Sequence, residues 1–330
     1  MTTLVTGATG FVGSAVARAL ARRGHALRLL ARPSSDRRNL AGLEGEVVIG
    51  DLTDPASLAR AAAGCQYVVH VAADYRIWVP NPEAMMRANV DGAVAMIRAA
   101  ADAGAGRIVH CSSVAALGQI GDGTPADENT PTNEADFVGV YKRSKYRAER
   151  AVLELAARES LPVVVVNPAA PVGPRDIKPT PTGKMVLDTA RGRVPAYIDT
   201  GLNIVHVDDV AEGHALALER GRVGERYVLG GENLLLKDVL ALIAGLAGKP
   251  APRIRLPEAV VWPVAWAMEK TAPLTGIPPL MTRDHLKMAR KKMFYSSAKA
   301  EAELGYTARP AREAVADALA WFRAMGMLRS

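Results

Sequence analysis

A run of glycines separates a short apolar strand from an alanine-rich helical pattern near residue 10. Leu4-Val5-Thr6 leads directly into Gly7-Ala8-Thr9-Gly10-Phe11-Val12-Gly13, and the helical pattern follows. Glycines permit a tight turn, and the free N–H groups at the start of a helix can bind a pyrophosphate. Because strand, turn and helix occur together, the segment predicts a dinucleotide-binding unit. Its predicted cofactor contacts are Gly7, Thr9, Gly10, Phe11, Val12 and Gly13.

Short β-branched runs alternate with longer helical patterns through the first half of the chain. The pattern predicts strands at 3–6, 26–31, 47–49, 67–71, 107–112 and 162–167, and helices at 13–23, 55–63, 82–103 and 141–159. Continuous apolar strands such as 163–166 are typical of parallel sheets that are covered on both faces. The predicted fold class is therefore α/β, a doubly wound parallel sheet (Rossmann) with a smaller, mostly helical C-terminal substrate lobe.

The composition changes after Pro168, because five prolines and two glycines fall within residues 168–183. This density indicates a long, shaped loop that leaves the sheet. We predict a dinucleotide-binding domain over residues 1–167, with residues 203–230 returning to it. Residues 168–202 and 231–330 would form the substrate-binding lobe, with a ligand cleft at the carboxyl ends of the strands.

The net charge of +7 lies mostly in the second half, where 23 basic residues face 17 acidic ones. No block of five like charges occurs, and the few aromatic residues do not alternate with basic ones, which argues against nucleic acid as a partner. An anionic substrate, an anionic membrane or a merely solvated surface can explain the charge. Cys65 and Cys111 have no metal-ligand spacing with the histidines, so we expect free thiols, no metal site and a reducing compartment.

The end of the second predicted strand indicates which dinucleotide binds. A carboxylate there would hold the ribose 2′-hydroxyl of NAD, whereas a cation would bind the 2′-phosphate of NADP. Ala31 and Arg32 stand at this place, and Arg37 and Arg38 follow in the loop. NADP is therefore favoured over NAD, and solvated loop arginines are the alternative.

Tyr141 and Lys145 lie four residues apart at the start of a predicted helix and therefore share one face of it. An ammonium beside a phenol favours the phenolate, so Tyr141 could exchange a proton with a carbonyl or alcohol oxygen near neutral pH. The fifth predicted strand ends at Ser112-Ser113, and a serine hydroxyl there can bind the same oxygen. The pair, the serines and the glycine turn together are far more specific than any one of them.

These motifs resemble those of the extended short-chain dehydrogenase/reductase family along essentially the whole chain. Other matching segments are Gly50-Asp51-Leu52, His70-Val71-Ala72-Ala73, Asn89-Val90-Asp91-Gly92 and His206-Val207-Asp208-Asp209-Val210. The resemblance implies that Tyr141 is the proton donor and acceptor, that Lys145 activates it and binds the nicotinamide ribose, and that Ser113 binds the substrate oxygen. It also implies that Asn89 supports the hydrogen-bond network. Further implied cofactor contacts are Asp51, Leu52, Ala72, Ala73, Ser112, Asn167, Pro168 and Ala170.

Departures from the family patterns narrow the reaction. Dehydratases of the family place an Asp-Glu pair after the strand-end hydroxyl residue, but Val114-Ala115 follow Ser113, which disfavours dehydration. Nucleotide-sugar enzymes commonly carry an Arg-Asp pair where Leu202-Asn203 stand. Its absence argues against a substrate that is bound through a nucleotide diphosphate group. An NAD(P)-dependent epimerase and an NADPH-dependent ketone reductase resembling dihydroflavonol reductase both remain. A non-catalytic regulator that senses NADP is a third alternative. The presence of Ser113, Tyr141 and Lys145 together argues against it.

Segments between the motifs, at 73–78, 173–183 and 196–203, resemble a bacterial subgroup called hopanoid-associated sugar epimerase. The resemblance implies a small-molecule or lipid-linked substrate with a polyol or sugar portion. Long loops at strand ends carry specificity, so 74–78 and 171–183 are the candidate substrate loops. The predicted substrate contacts are Asp74, Tyr75, Arg76, Trp78, Ser113, Tyr141, Arg175 and Lys178.

The segment 259–268 is apolar on nearly every side, contains Trp262 and Trp266, and precedes a basic region at 287–292. We expect it either to contact an anionic membrane surface peripherally or to form a core helix of the small lobe. The chain shows no secretory signal pattern and no apolar stretch near the roughly 18 residues that span a bilayer. The expected location is therefore cytoplasmic, with the inner face of the membrane as the place of any lipid contact. A monomer and a homodimer both remain open.

Overall fold

A sheet of seven parallel strands organises the computed structural model, which describes residues 1–76, 79–275, 286–287 and 291–328. The strands of the chain are β1 (Thr2–Thr6), β2 (Ala26–Ala31), β3 (Glu46–Ile49), β4 (Tyr67–His70), β5 (Arg107–Cys111), β6 (Val163–Pro168), β7 (Ala170–Val172), β8 (Ala196–Tyr197), β9 (Gly201–His206), β10 (Arg226–Leu229), β11 (Glu232–Leu235) and β12 (Ile254–Arg255). The large sheet has the order β10-β6-β5-β4-β1-β2-β3. The strand order reverses between β1 and β4, and ligands bind at such a switch point in open α/β sheets.

Helices cover both faces of the large sheet and build the C-terminal region. They are α1 (Phe11–Arg22), α2 (Pro55–Ala62), α3 (Pro82–Met86), α4 (Gly92–Asp102), α5 (Val140–Glu159), α6 (Pro181–Ala190), α7 (Val207–Arg220), α8 (Leu236–Leu246), α9 (Glu258–Thr275), α10 (Ala298–Leu304) and α11 (Ala311–Ala324). One apolar core joins α1, α7 and α10 to the sheet, and a second joins α2, α4 and α5 to its other face. These two layers confirm the predicted doubly wound sheet.

The region that follows β6 forms its own small core. Strands β7 and β9 pair in parallel, and β11 joins β9 antiparallel, so β9 adds to this small sheet and not to the large one. Of the segment 203–230, α7 packs on the large sheet and β10 extends it beside β6. Helices α6, α8 and α11 bury a third apolar cluster against the small sheet. The domain division at residue 168 stays a prediction.

The predicted helix at 82–103 is interrupted. Helix α3 ends at Met86, a π-helical turn runs over Arg87–Asp91, and α4 begins at Gly92. The wider turn contains Asn89, whose side chain is buried and hydrogen-bonded on both sides. Such π-helical turns occur frequently at functional sites. In the described part of the chain, no helix combines the length and the apolar character needed to cross a membrane.

Candidate active site

The glycine turn after β1 lies against the end of β4. Gly7 has φ +73°, and a Cβ there would lie 2.8 Å from the backbone N of Ala72. A Cβ on Gly13 would lie 2.1 Å from the Gly7 carbonyl oxygen, so the turn and helix α1 can approach this closely only without side chains. Gly10 caps α1 without any side-chain hydrogen bond, which leaves the N–H groups of the first turn available. This backbone cradle fits the pyrophosphate of a dinucleotide.

A buried asparagine that the sequence analysis missed fixes this turn. Asn39 donates through Nδ2 to the carbonyl oxygens of Thr9 at 3.2 Å, Gly10 at 3.3 Å and Arg175 at 3.0 Å. Arg175, predicted to contact substrate, therefore has its backbone beside the glycine turn, and its guanidinium pairs with Asp208. Burial lowers the pKa of Arg175 although the Asp208 carboxylate opposes this. The sequence offered one signal for the role of Asn39, namely a polar side chain within a basic loop.

The loop after β2 carries the predicted 2′-phosphate ligands. Arg32, Arg37 and Arg38 are all exposed there. Arg38 forms a two-point contact with Asp36, and its side-chain and backbone hydrogen bonds lower the pKa of Asp36 to about 2. The positive charge of Lys178 adds to this effect, so Lys178 lies near the same loop. In the described ranges, no carboxylate lies within ion-pair distance of Arg32, Arg37 or Lys178.

Two of the implied cofactor contacts, Asp51 and Leu52, follow the end of β3. Asp51 accepts hydrogen bonds from the backbone N of Thr53 at 2.9 Å and from its Oγ1 at 2.7 Å, and the backbone bond lowers the pKa of the carboxyl. Leu52 packs against α4, where a Cβ on Gly92 would lie 2.8 Å from the Leu52 Cβ. Ala72 and Ala73 are partly exposed beside the glycine turn. These residues therefore form one continuous edge with the cradle.

Ser113, Tyr141 and Lys145 meet at the carboxyl end of β5. The Tyr141 hydroxyl hydrogen-bonds the Ser113 side chain, and the Lys145 Nζ donates to the Cys111 carbonyl oxygen at 3.1 Å. Burial raises the pKa of Tyr141, although the Ser113 hydrogen bond opposes the rise, and burial lowers the pKa of Lys145. The expected lowering of the phenol pKa is therefore wrong for this structure, because desolvation outweighs the favourable contacts.

Asn89 links the loop after β4 to helix α5, which carries Tyr141. Its Oδ1 accepts from the backbone N of Asp74 at 2.7 Å, and its Nδ2 donates to the Asp74 carbonyl at 2.8 Å and to the Ser144 Oγ at 2.9 Å. The Ser144 hydroxyl in turn donates to the carbonyl oxygen of Tyr141 at 2.7 Å. Asn89 therefore positions the helix that carries Tyr141, in keeping with its predicted supporting role.

The predicted contacts of β6 and β7 differ in their exposure. Asn167 is 0% exposed, and its amide binds the Ser113 carbonyl and Glu149. Asn167 is therefore held by the protein itself, and its direct contact with the cofactor stays a prediction. Ser112 is also buried, whereas Ala170 is partly exposed and Pro168 ends β6. The sequence analysis missed Glu149, which follows Lys145 by four residues on the same helix face.

The two predicted substrate loops approach each other. Asp74 is bound by the guanidinium of Arg76 at 2.5 and 2.9 Å, and these hydrogen bonds hold the Asp74 pKa below its usual value against the effect of burial. Burial raises the pKa of the Tyr75 phenol, and the negative charges of Asp176 and Asp74 raise it further. Tyr75 therefore lies near Asp176 of the proline-rich loop. Trp78 lies outside the described residues.

His70 is a buried strand histidine whose hydrogen bond is made within the protein. Its Nδ1 shares a 2.7 Å hydrogen bond with the Oγ1 of Thr6, and burial lowers its pKa to about 3. Cys65 and Cys111 are both free and buried. Among the residues that the structure describes, no three His, Cys, Asp or Glu side chains are grouped as metal ligands.

Comparison with known proteins identifies relatives over the full length of the chain. Residues 3–230 match the NAD dependent epimerase/dehydratase family. A putative dihydroflavonol 4-reductase of Synechocystis sp. is 42% identical over 330 residues, which cover 99% of this chain and 96% of that protein. Sterol demethylase protein B of Methylococcus capsulatus is 34% identical over 331 residues, which cover 99% and 100%. The crystal structure of gox2253 has a TM-score of 0.91 and 58% identity, and covers 99% of both chains.

Proposed function

We propose that this chain moves hydride between NADP and a secondary alcohol or ketone of a lipid-linked substrate. The premise is that the chain belongs to the NAD dependent epimerase/dehydratase family of extended short-chain dehydrogenases/reductases. The observation that carries the proposal is the meeting of Ser113, Tyr141 and Lys145 beside the glycine cradle. A regulator that only senses NADP would not need this buried group.

The side chains assign the proton steps. The bound dinucleotide supplies or accepts the hydride. For reduction, the Tyr141 Oη gives its proton to the substrate oxygen while the Ser113 hydroxyl holds that oxygen. Burial raises the pKa of the Tyr141 phenol, so before the transfer the proton is on the phenol oxygen. The Lys145 ammonium would favour the phenolate that remains after the transfer. For oxidation, the first half of an epimerisation, Tyr141 would have to be ionised, and its phenolate would then accept the proton of the substrate hydroxyl.

Three exposed cations support the choice of NADP. Arg32 and Arg37 follow β2, and Lys178 approaches the same loop from the proline-rich segment. Arg38 is less available, because Asp36 already holds its guanidinium at 2.6 Å. A 2′-phosphate needs several charge-assisted hydrogen bonds, which these cations can donate. NAD, which lacks that phosphate, would leave them unused.

The substrate is proposed to be a polyol, sugar or ketone carried by an apolar lipid, as in hopanoid side chains. One relative is named for a sterol, which supports a polycyclic lipid. Helix α9 supports it as well, because Val260, Trp262, Val264 and Trp266 are 59%, 42%, 53% and 45% exposed. Of its described residues, Val261 and Ala265 are buried, against Leu286 and two neighbouring side chains. This exposure contradicts the alternative of a core helix.

Helix α9 is therefore proposed to rest on an anionic membrane from which the substrate is taken. Exposed Lys270 lies on the helix, and exposed Lys287 follows Leu286, which packs against it, so both supply positive charge there. Tryptophans favour the lipid–water interface. Flotation with vesicles that contain phosphatidylglycerol should recover the protein, and phosphatidylcholine vesicles should recover less. Val264→Ser with Trp266→Ser should abolish recovery, whereas Val223→Ser, at a loop residue 52% exposed, should not. Equal recovery of all variants would overturn the membrane proposal.

The reaction is tested with purified protein, NADPH and a lipid extract, followed by product analysis. Reduction consumes one NADPH per product, whereas epimerisation yields a new stereoisomer without net consumption. Tyr141→Phe should lose at least about 100-fold in turnover, because it removes the proton donor. Tyr146→Phe removes a hydroxyl from the same helix and should retain activity. Full activity of Tyr141→Phe would refute the mechanism, and NADPH binding without product from any lipid fraction would favour the regulator.

A further inference from the structure

Helix α5 carries a second buried charge that the mechanism above does not use. Glu149 lies one turn beyond Lys145 and is 2% exposed. A carboxylate this deeply buried is strongly disfavoured unless partners replace its lost hydration. Its contacts therefore identify what holds it in place.

Both carboxylate oxygens of Glu149 are engaged. Oε2 accepts a hydrogen bond from the Asn167 Nδ2 at 2.6 Å, and Oε1 accepts one from the Arg226 Nη1 at 3.0 Å. The second proton of the Asn167 amide goes to the Ser113 carbonyl oxygen at 3.0 Å. The amide must present its nitrogen to the carboxylate, because its own oxygen would be repelled there. Glu149 thereby fixes the orientation of a side chain that grips the backbone of Ser113.

The partner on the other side is anchored at the edge of the large sheet. Arg226 begins β10 and also donates to the carbonyl oxygen of Glu128. The Glu128 side chain is itself buried and accepts from the backbone N of Val228 at 2.6 Å. Glu149 is therefore held from β6 and β10 together, and its carboxylate cannot move without disturbing both strands.

Glu149 also places a buried carboxylate one turn from Lys145 on the same helix. The other titratable groups near Lys145 are Cys111 and His110 on β5, His70 on β4 and Tyr141, one turn earlier on α5. Burial lowers the pKa of both histidines and raises that of Cys111 to about 11, so these groups are neutral at pH 7. The Glu149 charge opposes the lowering of the Lys145 pKa by burial.

We propose that Glu149 is a positioning residue of the active site: through Asn167 it fixes the Ser113 backbone, and its charge keeps the buried ammonium of Lys145 protonated. The proposal rests on the function proposed above for its kinetic effect. Its effect on Lys145 can be measured without any substrate, because Lys145 is expected to bind the nicotinamide ribose.

The test replaces Glu149 by glutamine, which keeps the shape and removes the charge. NADPH affinity is followed by nucleotide fluorescence from pH 6.5 to 10. In Glu149→Gln the loss of affinity at alkaline pH should begin about one pH unit lower, since Lys145 loses its stabilising charge. Glu154→Gln is the matched control, because Glu154 is exposed on the same helix and pairs only with Arg150 in the described structure. An unshifted profile in Glu149→Gln overturns the electrostatic part of the proposal.

Turnover of the lipid substrate tests the positioning part. Glu149→Gln should lower kcat about 10-fold or more with little change in KM, because a misplaced Ser113 weakens only the reacting geometry. Asn167→Ala should lower kcat in the same way without shifting the alkaline limb of NADPH binding, since Glu149 stays paired with Arg226. If Glu149→Gln does not fold, Asn167→Ala alone decides, and an unchanged kcat overturns the proposal. If Tyr141→Phe and Glu149→Gln both retain full activity, the proposed reaction itself is refuted.

Discussion

The side-chain amide of Asn89 binds both backbone groups of Asp74, with 2.7 Å from Oδ1 to the Asp74 N and 2.8 Å from Nδ2 to its carbonyl oxygen. The remaining amide proton goes to Ser144, which binds the carbonyl of Tyr141. One side chain thus joins a predicted substrate loop to the helix that carries Tyr141. Both protons of the Asn89 amide are therefore donated within this junction.

Asn89→Asp should therefore disrupt the junction. One aspartate oxygen can still accept from the Asp74 N–H, but the other would face a carbonyl oxygen without a proton to donate. We expect the free energy of unfolding to fall by about 2–3 kcal/mol, the cost of unmatched buried polar groups, and turnover to fall with it. Urea unfolding measures the first effect. Asn133→Asp, at an exposed helix cap where aspartate serves equally well, should change little. Equal stability of both variants would contradict this role of Asn89.

The sequence was sufficient for the large sheet because its signals are local. The glycines at 7, 10 and 13 and the alternation of apolar strands and helices occur within short segments, and they specify a parallel sheet with a cradle at β1. The Tyr141 and Lys145 spacing is equally local. These features needed no knowledge of which distant segments pair.

The parts that the sequence did not reveal depend on distant contacts. Strand β9 reads like any buried strand, and only its pairing with β7 and β11 places it in the small sheet. Asn39, Glu149 and Asn167 gain their roles from residues more than fifteen positions away. The π-helical turn at Asn89 likewise follows from its bonds to Asp74 and Ser144. For Glu149 a local signal did exist, since it continues the four-residue spacing of Tyr141 and Lys145.

Gly13→Ala should damage the cofactor cradle. The new methyl group would lie 2.1 Å from the Gly7 carbonyl oxygen, so α1 and the glycine turn must move apart. We expect NADPH affinity to fall at least about 10-fold, because the backbone N–H groups lose their alignment. Isothermal titration calorimetry measures this loss. Gly245→Ala is the control, since nothing lies within 4 Å of a Cβ there and alanine favours helix α8. Unaltered NADPH binding by Gly13→Ala would show that the turn is not the pyrophosphate site.

Arg32→Ala should separate NADPH binding from NADH binding. Loss of a charge-assisted hydrogen bond of about 1.5–3 kcal/mol would weaken NADPH roughly 10-fold or more, whereas NADH has no 2′-phosphate to lose. Fluorescence titration with both nucleotides measures the ratio. Arg60→Ala removes an exposed arginine from the last turn of α2 and should leave both affinities unchanged. An equal effect of Arg32→Ala on the two nucleotides would favour the alternative of a merely solvated arginine.

Asp176 should make stability depend on pH in an unusual direction for a carboxylate. Burial raises its pKa from 3.8 to about 6, so the folded chain holds this proton more tightly than the unfolded chain does. The associated stability is present below about pH 4 and is lost as the pH rises through 6. Asp176→Asn cannot titrate, so from pH 4.5 to 7.5 its stability should improve relative to the natural chain by roughly 2 kcal/mol. Urea unfolding at both pH values measures the difference. Asp36→Asn is the control, because the pKa of Asp36 is about 2 and lies outside this window. A pH-independent difference for Asp176→Asn would mean that Asp176 stays ionised in the folded protein throughout.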